Sequence, residues 1–155
     1  MDEESLDSIV YSKNVIEFVT VASEYCNFLE RTGKSGTLDF LQKTQKLLPL
    51  LYLKVCMLPE FEGDIDEGPE KFVTELDYNM IQQKIIGLTG ENDDYQEVFD
   101  AGMQFSESAL TASISEDLTD IYQDLKDFVS LYQIGNELAM EAGLWECMNN
   151  FKSFW

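Results

Sequence analysis

The stretch LLPLLYLKVCMLP, residues Leu47–Pro59, contains only apolar residues and proline apart from Lys54. A helix without a polar face is stable only when other elements surround it, because its apolar side chains have to leave water. No other segment of the chain is apolar on all sides. We therefore predict that Leu47–Leu58 is a buried central helix around which the rest of the chain packs.

The segments on either side show the spacing of amphipathic helices, with apolar residues three and four positions apart. Such helices are predicted from Asp7 or Ser12 to Thr32, from Glu70 to Leu88, from Ser113 to Tyr132, and after Gly135. No run of alternating apolar and polar residues between turn residues indicates a strand. The sequence therefore predicts one all-α domain, residues 1–155, built as a bundle of about five helices around the buried central helix, with no sheet.

Residues 91–112 separate two of these helices and show only weak helical periodicity. We predict a long connection here, with one helical turn at Gln96–Phe99. Connections of this length are uncommon in compact domains unless they carry a function. This segment is therefore a candidate for the working part of the molecule.

The composition excludes several classes of enzyme. The chain has no histidine, which removes nucleophiles activated by histidine and zinc sites built from histidine. It also has no GxxxxGK[ST] or GxGxxG phosphate loop. The cysteines, Cys26, Cys56 and Cys147, are far apart and lie in apolar stripes, so we expect buried free thiols. We expect a protein that is not an enzyme and needs no cofactor.

The formal net charge of −20 restricts the partners. Nucleic acid and membrane surfaces are not expected partners, because both are bound through lysine and arginine. The acidic amino terminus lacks the basic segment of a secretory signal, and Leu47–Leu58 is too short to cross a bilayer. We therefore expect a cytoplasmic protein.

The acidic residues are concentrated in one part of the chain. Residues 60–155 hold 22 of the 30 acids and four of the ten bases. A surface of this kind either keeps a protein soluble or steers a basic partner protein toward it. As the binding surface for such a partner we predict nine carboxylates on the long connection and the helix after it: Glu91, Asp93, Asp94, Glu97, Asp100, Asp117, Asp120, Asp124 and Asp127.

Two other functions are compatible with these residues. Clustered carboxylates can bind Mg²⁺ or Mn²⁺, so a carboxylate-metal enzyme is one alternative. The other alternative is a carrier of a small ligand. Pro49 removes a hydrogen bond within its helix and predicts a kink, which would open a pocket lined by Tyr52 and Met57.

Four stretches of the sequence carry a family resemblance. They are FVTVASEYCNFLE (18–30), LLPLLYLKV (47–55), EDLTDIYQDLKDF (116–128) and GLWECMNNFKSFW (143–155). Together they resemble an uncharacterised family of small, acidic, helical bacterial proteins, described as a domain of unknown function. The resemblance implies an all-helical fold and a bacterial, cytoplasmic origin. It implies no activity, cofactor or site residue.

Overall fold

The structure, a computed structural model, describes residues 8–34, 36–63, 68–97 and 110–155. Five α-helices account for most of these residues. In chain order the elements are a 3₁₀ turn (Ile9–Tyr11), α1 (Lys13–Arg31), α2 (Thr37–Cys56), α3 (Glu75–Thr89), a second 3₁₀ turn (Gly90–Asn92), β1 (Asp94–Glu97), β2 (Leu110–Ser113), α4 (Ile114–Ile134) and α5 (Glu137–Phe154). The described part of the fold is therefore mainly α-helical, as the sequence predicts.

Helix α4 is the central element of this fold. It packs against α1, α3 and α5, and its inner face buries Leu118, Tyr122, Leu125, Phe128 and Val129. The approach of α5 is close at Gly143, where an added Cβ would lie 2.8 Å from the side chain of Leu131 on α4. Because a glycine has no Cβ, the two helices can meet at this point.

The prediction that Leu47–Leu58 is the buried centre of the fold is wrong. Helix α2, which contains most of this stretch, lies at the edge and packs mainly against α1 and α3. Leu51 and Val55 are buried, but Tyr52 is 61% exposed and Leu53 is 53% exposed. A helix can be apolar on every side and still be partly exposed, because it is buried only where other elements pack against it. The neighbours of α2 cover only one of its sides.

The ligand pocket predicted beside Pro49 does not take the expected form. Helix α2 continues through Pro49 as one element. The ring of Tyr52 packs against that of Phe151 on α5, with the ring centroids 5.4 Å apart, and Met57 is exposed. Tyr52 and Met57 therefore belong to an exposed apolar surface, while the kink itself stays a prediction.

Side-chain caps determine where α3 and α4 begin. Thr74 Oγ1 accepts from the backbone N–H of Asp77, and the Asp77 carboxylate accepts from the N–H of Thr74, which completes a capping box. Helix α3 consequently begins at Glu75, five residues later than the predicted Glu70. Ser113 caps α4 by accepting from the N–H of Glu116 at 3.3 Å.

The prediction that the fold has no sheet is wrong at one place. Strands β1 and β2 pair antiparallel, with Asp94 opposite Ser113 and Glu97 opposite Leu110. Each strand has only four residues, and none of them is buried. β1 (DYQE) has a single apolar residue, and the alternation of apolar and polar residues in β2 (LTAS) covers only four positions. Gln96 and Glu97 lie in β1 and not in the predicted helical turn, the rest of which lies outside the described residues.

The cysteines differ in their burial. Cys26 and Cys147 are buried, as expected, and burial raises the pKa of the Cys26 thiol to about 12 and also raises the pKa of Cys147. The expectation is wrong for Cys56, which is exposed because it lies on the uncovered side of α2. Both buried thiols therefore stay protonated at neutral pH.

Candidate functional site

The elements that carry the predicted binding carboxylates meet at the beginning of α4. Glu91 lies in the second 3₁₀ turn, Asp93 follows it, and Asp94 and Glu97 lie in β1. Strand β1 pairs with β2, and β2 leads directly into α4. Four of the carboxylates lie on α4, namely Asp117, Asp120, Asp124 and Asp127. Asp100 lies outside the described residues.

Asp93 is not part of the predicted binding surface, because its carboxylate is buried and caps α4 from another part of the chain. Its side chain is 8% exposed. Its carbonyl oxygen accepts from the N–H of Ile114 at 2.8 Å, and its Oδ1 accepts from the N–H of Ser115 at 2.9 Å. Its carboxylate also accepts from the hydroxyls of Ser115 and Thr89, at 2.6 and 2.8 Å. Since Ser113 takes the third N–H, the first three amides of α4 all have acceptors.

Asp127 is likewise buried, with 6% of the residue exposed. Its Oδ1 accepts from the backbone N–H groups of Phe72 and Val73, at 2.7 and 2.9 Å. These bonds join the segment before α3 to the middle of α4. Asp127 therefore stabilises the arrangement of two elements and is not available to a partner.

Asp124 is half-buried between α4 and the end of α5. It accepts from Asn150 Nδ2 and from Trp155 Nε1, each at 3.0 Å. Burial raises the pKa of the Asp124 carboxyl, although both hydrogen bonds act in the opposite direction. The ionised form of Asp124 is therefore less favourable in the folded protein than in the unfolded chain.

We expect the variant Asp124→Asn to have a higher melting temperature than the wild type at neutral pH. A raised folded-state pKa means that the folded protein binds this proton more tightly, so its stability falls as the pH rises above the ordinary pKa of aspartate. Asparagine removes this loss and keeps an acceptor for Trp155. Thermal unfolding followed by circular dichroism at several pH values measures the difference, which should shrink below the ordinary pKa of aspartate.

The matched control for Asp124→Asn is Glu62→Gln, which removes the same charge at an exposed position. This control separates the effect at Asp124 from the general relief of repulsion in a chain of net charge −20. A neutral-pH gain no larger for Asp124→Asn than for Glu62→Gln would contradict the interpretation.

The other two predicted carboxylates on α4, Asp117 and Asp120, accept hydrogen bonds from tyrosines. Asp120 accepts from the hydroxyl of Tyr78 on α3 at 2.6 Å, and Asp117 accepts from the hydroxyl of Tyr95 on β1. The bond to Asp117 raises the pKa of Tyr95 to about 12, and burial followed by the bond to Asp120 raises the pKa of Tyr78. Both phenols therefore remain protonated donors at neutral pH.

An acidic surface remains where β1 and the first turns of α4 lie side by side. We define the acidic face as Asp94, Glu97, Glu116, Asp117 and Asp120. Asp94, Glu116 and Asp120 are exposed, and Glu97 and Asp117 are half-buried. Glu116, Asp117 and Asp120 lie within the first two turns of α4, and the hydroxyl of Tyr95 joins Asp117 to β1. Asp94 and Glu97 are three positions apart and leave β1 on opposite sides. Glu116 was not among the predicted site residues.

A second polar cluster was not predicted from the sequence. The carboxylate of Glu30 on α1 accepts from the hydroxyl of Tyr122 at 2.9 Å and pairs with Lys126 at 2.7 Å. Lys84 on α3 donates to the backbone carbonyl of Glu30 at 2.6 Å. These residues come from three helices and have no common motif, so no local signal could have identified them.

The Glu30 cluster lines a cavity of about 360 Å³, which also has apolar walls at Phe72 and Ile81. Burial raises the pKa of Tyr122, which therefore donates to Glu30 at neutral pH. The polar groups of this cavity are bonded to one another. They hold α1, α3 and α4 together and do not leave an obvious unpaired group for a ligand.

Two findings concern the described residues as a whole. No group of three or more cysteine, aspartate and glutamate side chains within them is arranged to hold a metal ion. No helix in the same ranges is both long enough and apolar enough to cross a bilayer.

The architecture defines a class of mainly α-helical proteins in which a short antiparallel hairpin precedes the central helix. The chain belongs to the family described as domain of unknown function (DUF5063), which matches residues 9–155. This confirms the family resemblance predicted from the sequence. None of the curated proteins compared with the chain matches it.

A solved structure shows the same fold. The crystal structure of protein BF1032 from Bacteroides fragilis is similar to this chain, with 43% sequence identity and a TM-score of 0.82. The similarity covers 95% of this chain and 85% of that chain.

Proposed function

We propose that the protein is a non-enzymatic interaction module of the cytoplasm that binds a basic partner protein through the acidic face. The observation that carries this proposal is the lack of compensating charge. Residues 85–125 contain ten carboxylates and no lysine or arginine. In the described part of the chain, the salt bridges involve none of the five residues of the acidic face.

The arrangement of the acidic face suits recognition by charge. The carboxylates of Asp117 and Asp120 are held by tyrosine hydroxyls, and all five residues lie on β1 or α4. Part of the arrangement is therefore fixed before a partner arrives. Unpaired like charges on a rigid surface create a field that accelerates association with an oppositely charged protein. The internal hydrogen bonds of Asp93, Asp124 and Asp127 exclude these three residues from that role.

A pair of variants with equal net charge tests the proposal. The first combines Asp94→Asn, Glu116→Gln and Asp120→Asn, and the second combines Glu62→Gln, Glu70→Gln and Glu137→Gln at exposed positions elsewhere. Partners are captured from native cells with the wild-type chain, and their association rates are measured over a range of salt concentrations. We expect the first variant to slow association about tenfold, because steering of this kind changes rates by a factor of about 10 to 1000.

The control variant should associate at nearly the wild-type rate. An equal reduction of the association rate in both variants would show that only the total charge matters. A partner whose association depends neither on salt nor on the first variant would contradict the proposal.

A further inference from the structure

A cluster of basic residues lies at a groove between α1 and α2. A cavity of about 520 Å³ there is lined by Phe28, Arg31, Thr32, Lys34 and Lys43, among others. It adjoins a second cavity of about 310 Å³, which shares Phe28 and Lys43 and extends to Lys46, Leu47 and Leu50. We call the two cavities together the basic groove. Four of the ten bases of the chain line it.

Most of these bases have no carboxylate partner in the part of the chain that the structure describes. Lys43 pairs with Asp39 at 2.9 Å, whereas Arg31, Lys34 and Lys46 form no salt bridge within residues 8–34, 36–63, 68–97 and 110–155. Acids outnumber bases by 30 to 10 in this chain, so partners are not scarce in general. The basic groove is therefore a local centre of positive charge in a negatively charged protein.

The other end of the basic groove is apolar. Leu47 and Phe28 are half-buried against the core, and Leu50 is exposed beside Lys46. The two cavities have volumes within the range of about 300 to 1000 Å³ that is usual for small-molecule sites. Glu24, an exposed carboxylate, lines both of them and disfavours a ligand with a negative charge at every position.

We propose that the basic groove binds a small amphiphilic anion, which combines one carboxylate or phosphate group with a hydrocarbon chain. The anionic group lies against Arg31 and Lys34, and the hydrocarbon chain lies along Phe28, Leu47 and Leu50. This site is on the other flank of α2 from Tyr52, so it differs from the pocket expected beside Pro49. It is also separate from the acidic face and does not depend on the proposed function.

Titration calorimetry with soluble probes tests the site. The probes are decanoate, decyl phosphate, decanol and inorganic phosphate, each added to the full chain. We expect heat of binding from decanoate or decyl phosphate, and at least about tenfold weaker binding of decanol and inorganic phosphate, which corresponds to about 1.4 kcal/mol. The stronger of the two decyl anions identifies the head group.

The double variant Arg31→Gln, Lys34→Gln should weaken binding of that anion about tenfold or more. The matched control is Lys13→Gln, Lys152→Gln, which removes the same charge from exposed positions outside the groove and should bind like the wild type. Leu50→Ser should weaken the binding of decanoate but leave the affinity for inorganic phosphate unchanged. Circular dichroism verifies that each variant is folded.

Three results would overturn the proposal. One is the absence of binding of both decyl anions at millimolar concentration. Another is an equal loss of affinity in the two double variants, which would indicate attraction by total charge alone. The third is binding to vesicles of anionic phospholipid without binding of either free anion, which would identify a membrane contact.

Discussion

Replacement of Phe128 by alanine should lower the free energy of unfolding by about 3–5 kcal/mol, the cost usual for removing a buried phenyl ring. Phe128 is 1% exposed and lies in the middle of α4. Its ring stacks on the ring of Phe18 on α1, with the centroids 5.8 Å apart. It also forms an edge-on pair with the ring of Tyr132, with the centroids 6.0 Å apart. It also lies against the close approach of α5 at Gly143. Three helices that meet around one ring have little freedom to collapse into the space it leaves.

Urea denaturation followed by circular dichroism measures this loss, and Leu53→Ala on α2 is its control. Leu53 belongs to the stretch that the sequence identified as the buried centre, but it is exposed in the structure. Its replacement should change the free energy of unfolding by no more than about 0.5 kcal/mol, as at other surface positions. A larger loss for Leu53→Ala than for Phe128→Ala would restore α2 as the centre of the fold.

Asp93→Ala is expected to cost about 2–4 kcal/mol, because it removes a buried carboxylate that accepts several hydrogen bonds. The N–H of Ser115 and the hydroxyls of Ser115 and Thr89 would lose their acceptor. The favourable interaction of a negative charge with the N-terminus of α4 would be lost as well. Denaturation measures the total loss, and amide hydrogen exchange of Ser115 reports whether the first turn of α4 opens.

The neighbouring residue provides the control for Asp93→Ala. Asp94 carries the same side chain one position later but is exposed on β1, so Asp94→Ala should cost less than about 0.5 kcal/mol. Asp93→Asn should lie between the two, since the amide keeps one acceptor oxygen. Equal costs for Asp93→Ala and Asp94→Ala would mean that the cap does not stabilise α4.

The elements of this fold can be predicted from the sequence because their signals are local. The pair Thr74 and Asp77 and the pair Ser113 and Glu116 each lie within one helical turn, and the structure contains both caps. The choice of the central helix is not local. Both α2 and α4 have an apolar face, and only the packing of α1, α3 and α5 decides that α4 is enclosed.

The site was harder to predict than the helices, because a carboxylate looks the same in sequence whether it is buried or exposed. Asp93 and Asp120 both appear as ordinary acidic residues. Asp93 is enclosed by Thr89, four residues before it, and by Ser115, 22 residues after it, whereas Asp120 stays at the surface. The hairpin was missed because its strands pair across residues 98–109 and are only four residues long, which is too short for a clear pattern.

The exposure of Cys56 makes the native sequence convenient for spectroscopy. The other two thiols are buried, so a maleimide dye or a nitroxide added to the folded protein attaches at one known position without any engineered cysteine. That position is the last residue of α2, the helix whose other flank forms the basic groove. A probe at Cys56 therefore reports on this helix while the acidic face and its carboxylates remain unmodified.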